Sequence, residues 1–352
     1  MRSRIFGSRT TKARRTRKRA IVVGAGSVVK IGYIPALASL GWEVLILDLD
    51  AARAGAVAKL YGRASSTTRP LREIDASQYD VVVVATPPAS HASLTLQALD
   101  AGARGLVVEK PPFLTIGELD TVLGAARAKD ARIFTCFIRR AWPAVIEARR
   151  RFPQWSTSLG ALTRVTISEG RPWDWPSVAT VEQGTTGLES MIANELPHPL
   201  DAVFHITGWQ DVAVRPADEP PESTPWSLDA SVEVEPPGHS RAILRLSGSR
   251  THALANALTF SFERGDVVVE MSGTSPSSGG IIVRTPSGSE LVKGPALPLP
   301  VAEQFARPLL AATSHDSGPE VAAVQDWSEP LKVVSVVERQ LAAAVVPAHD
   351  AP

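Results

Sequence analysis

The sequence predicts an α/β protein: a Rossmann-type parallel sheet domain, then an α+β domain with a mostly antiparallel, open-faced sheet. Three observations carry this expectation. Short apolar runs alternate with helical stretches as far as Phe137, and a glycine turn, Gly24-Ala25-Gly26, directly follows the first run. After about Arg140 the pattern changes to strand-like segments separated by glycine, serine and proline turns.

In chain order, residues 20–23 form an apolar strand that stops at Gly24, and 34–40 read as helix. Strand 42–47 ends at Asp48, and helix 51–60 follows. Residues 79–85 are apolar at nearly every position, as expected of a strand covered on both faces. Helix 93–101, strand 105–108, helix 116–128 and strand 132–137 complete the first domain. Beyond it, 142–151 reads as helix, 162–167 alternates, and 187–204 is helical with a break near Pro197 and Pro199. Strands are expected at 212–215, 228–234, 241–246, 254–262, 267–271 and 280–284, loops at 216–225 and 295–300, and closing helices at 302–312 and 333–344. The expected division is a basic tail over 1–19, a dinucleotide-binding domain over 20–138, a substrate and oligomerisation domain over 139–330, and a closing helix and tail over 331–352.

With 352 residues, 44% hydrophobic and 21% charged, the chain has the composition of a globular protein and enough length for two cores. It has no apolar run of the ~18 residues needed to span a bilayer, and its single cysteine, Cys136, excludes an internal disulfide. A cytoplasmic location is expected. The net charge of +1 conceals an asymmetry, since nine basic residues and no acid lie between Arg2 and Arg19. Without those nine, the remaining 28 basic residues face 36 acidic ones, a charge of −8. The tail is expected to be a solvated extension, with nucleic-acid contact unlikely.

Gly24 suits the tight turn after the first strand, and Gly26 lets backbone approach a pyrophosphate at the helix start formed by Ser27 and Val28. Val29 occupies the place of a third glycine. Asp48, 24 residues after Gly24, ends the second strand, where a carboxylate accepts ribose hydroxyls and repels a 2′-phosphate. It therefore favours NAD over NADP, although Asp50 and Arg53 lie nearby and Asp48 also reads as a helix cap. Thr86-Pro87-Pro88 ends the third major strand, and His91 reads either as facing the cofactor or as a capping or loop-packing residue. The next strand ends in Glu109-Lys110-Pro111-Pro112, a charged pair on the same rim.

Gly24-Ala25-Gly26, Tyr33-Ile34-Pro35-Ala36-Leu37, Thr86-Pro87-Pro88-Ala89-Ser90-His91 and Glu109-Lys110-Pro111 together resemble the glucose–fructose oxidoreductase and inositol dehydrogenase (Gfo/Idh/MocA) family. Arg139-Arg140 and Gly160-Ala161-Leu162 fit the start of that family's second domain. The resemblance implies NAD(P)-dependent hydride transfer to or from a sugar, cyclitol or related hydroxy or keto compound, and a homo-oligomer assembled through the second sheet. It puts Lys110 beside the nicotinamide and the substrate oxygen, with His198 as its catalytic partner. Where the family carries an aspartate four residues before that histidine, this chain has Asn194, which hydrogen-bonds but takes no proton near neutral pH. His198 also reads as a structural residue on an apolar helix.

The expected cofactor contacts are Gly24, Gly26, Ser27, Val28, Asp48, Thr86, Pro87, His91, Glu109 and Lys110. The expected substrate contacts are Arg140, Trp175, Asn194, His198 and Asp201, within 139–142, 171–175 and 189–201. Trp173 and Trp175 read equally as sugar-stacking, core or interface residues. No metal is expected, because no compact histidine–cysteine cluster occurs. Two other activities fit the same fold: a non-catalytic dinucleotide-binding regulator, and a lyase using transient redox chemistry.

Overall fold

Four consecutive valines, Val81–Val84, are all buried and form the central strand of the first sheet. The structure is a computed structural model that describes residues 17–170, 195–224, 227–249, 254–271, 280–293, 300–314, 318 and 320–345. Six parallel strands, β1 (Arg19–Val23), β2 (Glu43–Leu47), β3 (Ala64–Thr67), β4 (Val81–Val84), β5 (Gly105–Val108) and β6 (Arg132–Thr135), run in the order β6-β5-β4-β1-β2-β3. The order reverses at β1, and the glycine turn sits at the carboxyl end of that strand, where open α/β sheets take ligands. Apolar side chains on both faces of β1, β4 and β5 are covered by helices α1 (Ile34–Leu40), α2 (Ala51–Ala58), α3 (His91–Asp100) and α4 (Ile116–Ala128), which is why these strands read as unbroken apolar runs. A capping box opens α4: Glu118 N–H donates to Thr115 Oγ1 (3.1 Å), and Thr115 N–H donates to Glu118 Oε2 (3.2 Å).

The helix after the glycine turn starts earlier than expected and contains a π-helical turn over Val29–Tyr33. Gly32 lies in that turn, where an added Cβ would sit 2.5 Å from the Phe305 ring. Strand β3 escaped the sequence pattern because its Ala-Ser-Ser-Thr side chains bury no alternating apolar face, although its backbone pairs fully with β2.

Helix α5 (Pro143–Leu159) runs past the expected end at Arg151 and through Pro153, held by the buried side chains of Phe152, Trp155 and Leu159. Helix α6 (Pro197–Thr207) starts at the expected break: Pro197 and Pro199 occupy its first turn, where missing amide hydrogens cost nothing. The rest of the expected 187–204 helix, up to residue 194, lies outside the described residues.

The second sheet comprises β7 (Leu162–Gly170), β8 (Ala213–Pro216), β9 (Glu222–Thr224), β10 (Ser227–Glu235), β11 (Ala242–Ser249), β12 (Ala257–Phe262), β13 (Gly265–Glu270), β14 (Gly280–Thr285) and β15 (Gly288–Lys293). Its order is β15-β14-β13-β12-β7-β11-β10-β8, antiparallel throughout except for the β7–β11 pair, with β9 paired to β10 off that path. Strand β9 falls within the expected loop 216–225. Alternation along β10 and β11 buries Leu228, Val232, Leu244 and Leu246 toward the helices and leaves Asp229, Glu233 and Arg245 on the other face.

The chain then returns to the first sheet. Helix α7 (Val301–Ala312) packs on α1, β5 and β6, and β16 (Ala322–Ala323) joins the β6 edge antiparallel, before α8 (Ser328–Val345) closes against the second sheet. Both α7 and β16 lie within the range expected for the second domain. At the other end, Lys18 Nζ donates to Thr313 Oγ1 (2.5 Å) and Arg19 begins β1, so the last residues of the expected tail are part of the fold.

Candidate cofactor and active site

The glycine turn is built by close backbone approach. Gly24 has φ +103°, and a Cβ there would strike the Ala85 carbonyl at the end of β4. Its N–H donates to Leu47 O (2.7 Å), and Ala25 N–H donates to Asp48 Oδ2 (2.8 Å), tying the turn to the end of β2. The space a Cβ would fill at Gly26 is open, Ser27 is exposed and Val28 half-buried. This open, amide-lined turn at a helix start fits a dinucleotide pyrophosphate. Asp48 Oδ1 accepts from Asp50 N–H (2.9 Å) and from Arg53 Nη2 (2.9 Å) and Nε (3.2 Å), while Asp50 rather than Asp48 caps α2. The residue expected to select against a 2′-phosphate therefore carries an arginine partner.

At the end of β4, Thr86 Oγ1 and Ser90 Oγ lie 2.7 Å apart, and Pro87 is exposed on the rim. His91 does not face the cleft. Its ring is fully buried, with Nε2 2.7 Å from Thr86 O and Nδ1 2.9 Å from Pro111 O, so it fastens the two rim loops to each other. Burial pushes its pKa down against the pull of those carbonyls, and a neutral ring donates to one of them at a time.

Glu109 also turns inward. Its Oε1 accepts from Tyr33 Oη (2.9 Å) and its Oε2 from Lys110 N–H (3.1 Å), with the Cys136 thiol in the same buried cluster. Burial raises the Glu109 carboxyl above its ordinary pKa, opposed by Lys110 and by the Tyr33 hydrogen bond. Its inward direction makes Glu109 a support for the Lys110 backbone instead of the cofactor contact expected from sequence.

Lys110 is half-buried at the carboxyl end of β5. Burial draws its amine below the ordinary lysine pKa; Glu195 opposes this most, then Glu109, while Arg139 adds to the depression and Glu169 opposes it. Glu169 was not among the residues expected from sequence, whereas Arg139 and Glu195 fall within the expected substrate segments 139–142 and 189–201 without having been singled out. Arg139 forms a buried, bidentate pair with Glu169, Nη2–Oε1 2.6 Å and Nη1–Oε2 2.9 Å. A charge at the end of the alternating β7 pattern was the only signal for Glu169; Glu195 was adjacent to Asn194 but off the family's spacing. His198 lies in the first turn of α6, edge-on to Phe137 (6.0 Å). Phe137 also packs on Trp327, whose indole N–H donates to Phe113 O just beyond Lys110 (3.0 Å).

Arg140 and Asp201, expected to contact substrate, are instead occupied by each other. Arg140 Nε–Oδ2 is 2.9 Å and Nη2–Oδ1 2.6 Å, and Nη1 reaches Asp326 (2.8 Å). Burial alone would lower the arginine's pKa, but Asp201 and Asp326 hold it above its ordinary value. The pair locks the start of α6 to the strand-end turn. Arg140→Ala is expected to lower stability by about 3–5 kcal/mol, because it strands a buried carboxylate. Arg140→Met combined with Asp201→Leu is expected to recover most of that loss. Urea unfolding midpoints test both, and an Arg140→Ala midpoint equal to the parent's would remove the structural role.

Trp175 and Asn194 lie outside the described residues. Among the described residues, no group of three or more His, Cys, Asp or Glu side chains is arranged to hold a metal, and no helix is long and apolar enough to cross a membrane.

The reversed strand order, the amide-lined turn and the charged rim define an NAD(P)-binding Rossmann domain coupled to a second, sheet-based domain. Within that class, residues 18–137 match the model of the Gfo/Idh/MocA family, described as the oxidoreductase family with an NAD-binding Rossmann fold. The chain is 24% identical over 205 residues to Oxidoreductase P35 of Formosa agariphila, a match covering 53% of this chain and 60% of that protein, so the aligned part spans less than two thirds of the curated relative. The fold is similar to that of an aldose–aldose oxidoreductase from Caulobacter crescentus complexed with glycerol (TM-score 0.71, 16% identity, 94% of this chain and 98% of that one). It is also similar to KijD10, a 3-ketoreductase from Actinomadura kijaniata in complex with NADP and TDP-benzene (TM-score 0.68, 18% identity, 92% and 96%).

Proposed function

We propose that this protein is an NAD(P)-dependent dehydrogenase or reductase acting on a sugar, cyclitol or related hydroxy or keto compound. The observation that carries the reading is Lys110: a half-buried amine with a depressed pKa, on the strand-end rim that also holds Gly24, Gly26 and Asp48. When bound, the nicotinamide supplies the redox capacity of the site. Lys110 takes the hydroxyl proton during oxidation and returns it to the carbonyl oxygen during reduction, and its positive form stabilises charge on that oxygen. Glu195 favours the protonated form of the amine electrostatically, and His198 shares the transfer. Asn194 and Trp175 are candidate substrate contacts on the sequence alone. Gly24, Gly26, Ser27 and Val28 would hold the pyrophosphate, with Thr86 and Pro87 along the rim.

Asp48 supports a preference for NAD, with Arg53 as its counterweight. The exposed face of the second sheet, bearing Asp229, Glu233 and Arg245, supports pairing with another copy, and the single buried cysteine suits the cytoplasm. The test is nicotinamide absorbance and label transfer from carbon-deuterated aldoses, cyclitols and nucleotide-linked sugars, with each cofactor. Deuterium is expected on the nicotinamide with at least one class. Cofactor binding without label transfer from any class would favour a regulatory protein instead.

A further inference from the structure

At the end of the first sheet opposite the glycine turn, Arg17, Arg19, Arg63, Glu43, Ser65 and Tyr79 line a half-open hollow of about 260 Å³. These residues lie at the amino ends of β1, β2, β3 and β4. Arg19 stacks on the Tyr79 ring (4.4 Å), donates to Gln78 O (3.2 Å) and stands 4.0 Å from Glu43. Among the described residues, the Asp80 carboxylate accepts only from the Arg19 backbone N–H (2.8 Å). Among the described residues, the guanidinium groups of Arg17 and Arg63 have neither a hydrogen bond nor an ion pair. Three guanidiniums thus share the hollow with one carboxylate, and the chain enters at Arg17 after a segment with six further basic residues and no acid.

We propose that this end of the molecule is a second anion site, separate from the cofactor cleft, that holds the phosphodiester backbone of a nucleic acid without reading its sequence. Planar guanidiniums that lack carboxylate partners are suited to phosphate oxygens. Repeated cations before Arg17 favour a ligand with repeated charges over a single phosphate. The one aromatic ring in the hollow is already covered by Arg19, so no base has a ring to stack on. This pattern corresponds to backbone contact alone.

The probe is a fluorescent duplex of about 20 base pairs, titrated with the full chain by anisotropy from about 50 to 200 mM salt. Arg17→Glu with Arg63→Glu is expected to weaken binding at least about tenfold and to reduce the slope of log affinity against log salt by about 2. Arg215→Glu with Arg284→Glu makes the same charge change on the second sheet and is expected to stay within about twofold of the parent. Cofactor titration and thermal unfolding confirm that each variant is folded; if the double variant is not, Arg63→Gln should still reduce the slope by about 1. Equal losses in both double variants, or none in the hollow variant, would overturn the site. Displacement of the duplex by equimolar inorganic pyrophosphate would make it a small-anion pocket, and equally tight, equally Arg63-dependent binding to phosphatidylserine vesicles would make it a membrane surface; either result rejects the nucleic-acid assignment.

Discussion

Lys110→Met is expected to lose at least about 100-fold in turnover while dinucleotide affinity and the unfolding transition stay near those of the parent. Methionine keeps the length and apolar stem of the half-buried side chain, so packing along the end of β5 changes little. What disappears is the ammonium that Glu195, Glu109 and Glu169 favour and that burial and Arg139 oppose. With it go the proton donor and the positive charge beside the reacting oxygen. Because burial already holds the amine below its ordinary pKa, the parent's oxidation rate should rise with pH at lower values than a free lysine would allow, as the neutral base appears. That rise should be absent in the variant. The measurements are fluorescence titration of the cofactor and single-turnover reaction with an accepted substrate across pH. Single-turnover rates within about twofold of the parent at saturating cofactor would take Lys110 out of the mechanism and move it to His198.

The second large effect concerns cofactor choice. The parent is expected to bind NAD(H) more tightly than NADP(H), because a 2′-phosphate would meet the Asp48 carboxylate. That carboxylate is nevertheless engaged by Arg53 at 2.9 Å, and the arginine side chain is about half exposed. Asp48→Ser removes the repelling charge and releases Arg53, leaving the guanidinium beside the place of the 2′-oxygen. The affinity ratio should shift toward NADP(H) by at least about tenfold, or about 1.4 kcal/mol. Arg53→Ala in the same background should cancel most of the shift. Tighter NADP(H) binding by the parent, or a ratio unmoved by Asp48→Ser, would reject this assignment.

The legible parts of the sequence were those where burial and pattern coincide. The valines of β4 have no polar face to hide, the Thr115–Glu118 box marks the start of α4, and Gly24 sits where only a positive φ and a close carbonyl fit. Strand β3 was not legible, since its backbone is held by β2 while its side chains face water. The continuation of α5 beyond Pro153 depends on three large side chains finding a core that belongs to other segments. The site divides along the same line. Gly24, Gly26, Asp48 and Lys110 stand at strand ends, and their rim position follows from the strand pattern alone. Arg140, Asp201, His91 and Glu109 have the same residue chemistry as ligand-binding groups, and only the direction of the side chain separates a contact from an internal brace. Glu195 was hidden for the opposite reason, because the sequence spacing drew attention to Asn194.

The Gly32–Phe305 contact bears on the order in which the protein is made. Phe305 fills the notch left by Gly32 and meets Tyr33 edge-on at 4.9 Å, and Tyr33 in turn holds Glu109 behind Lys110. Helix α7 also packs on β5 and β6, on the face of the first sheet that carries Val107. The glycine turn, Asp48 and Lys110 all leave the ribosome long before Phe305 does. Until the last fifth of the chain emerges, one face of the dinucleotide domain lacks its cover and the cofactor helix lacks its wedge. The packing behind Lys110 is therefore completed by a segment made almost 200 residues after it.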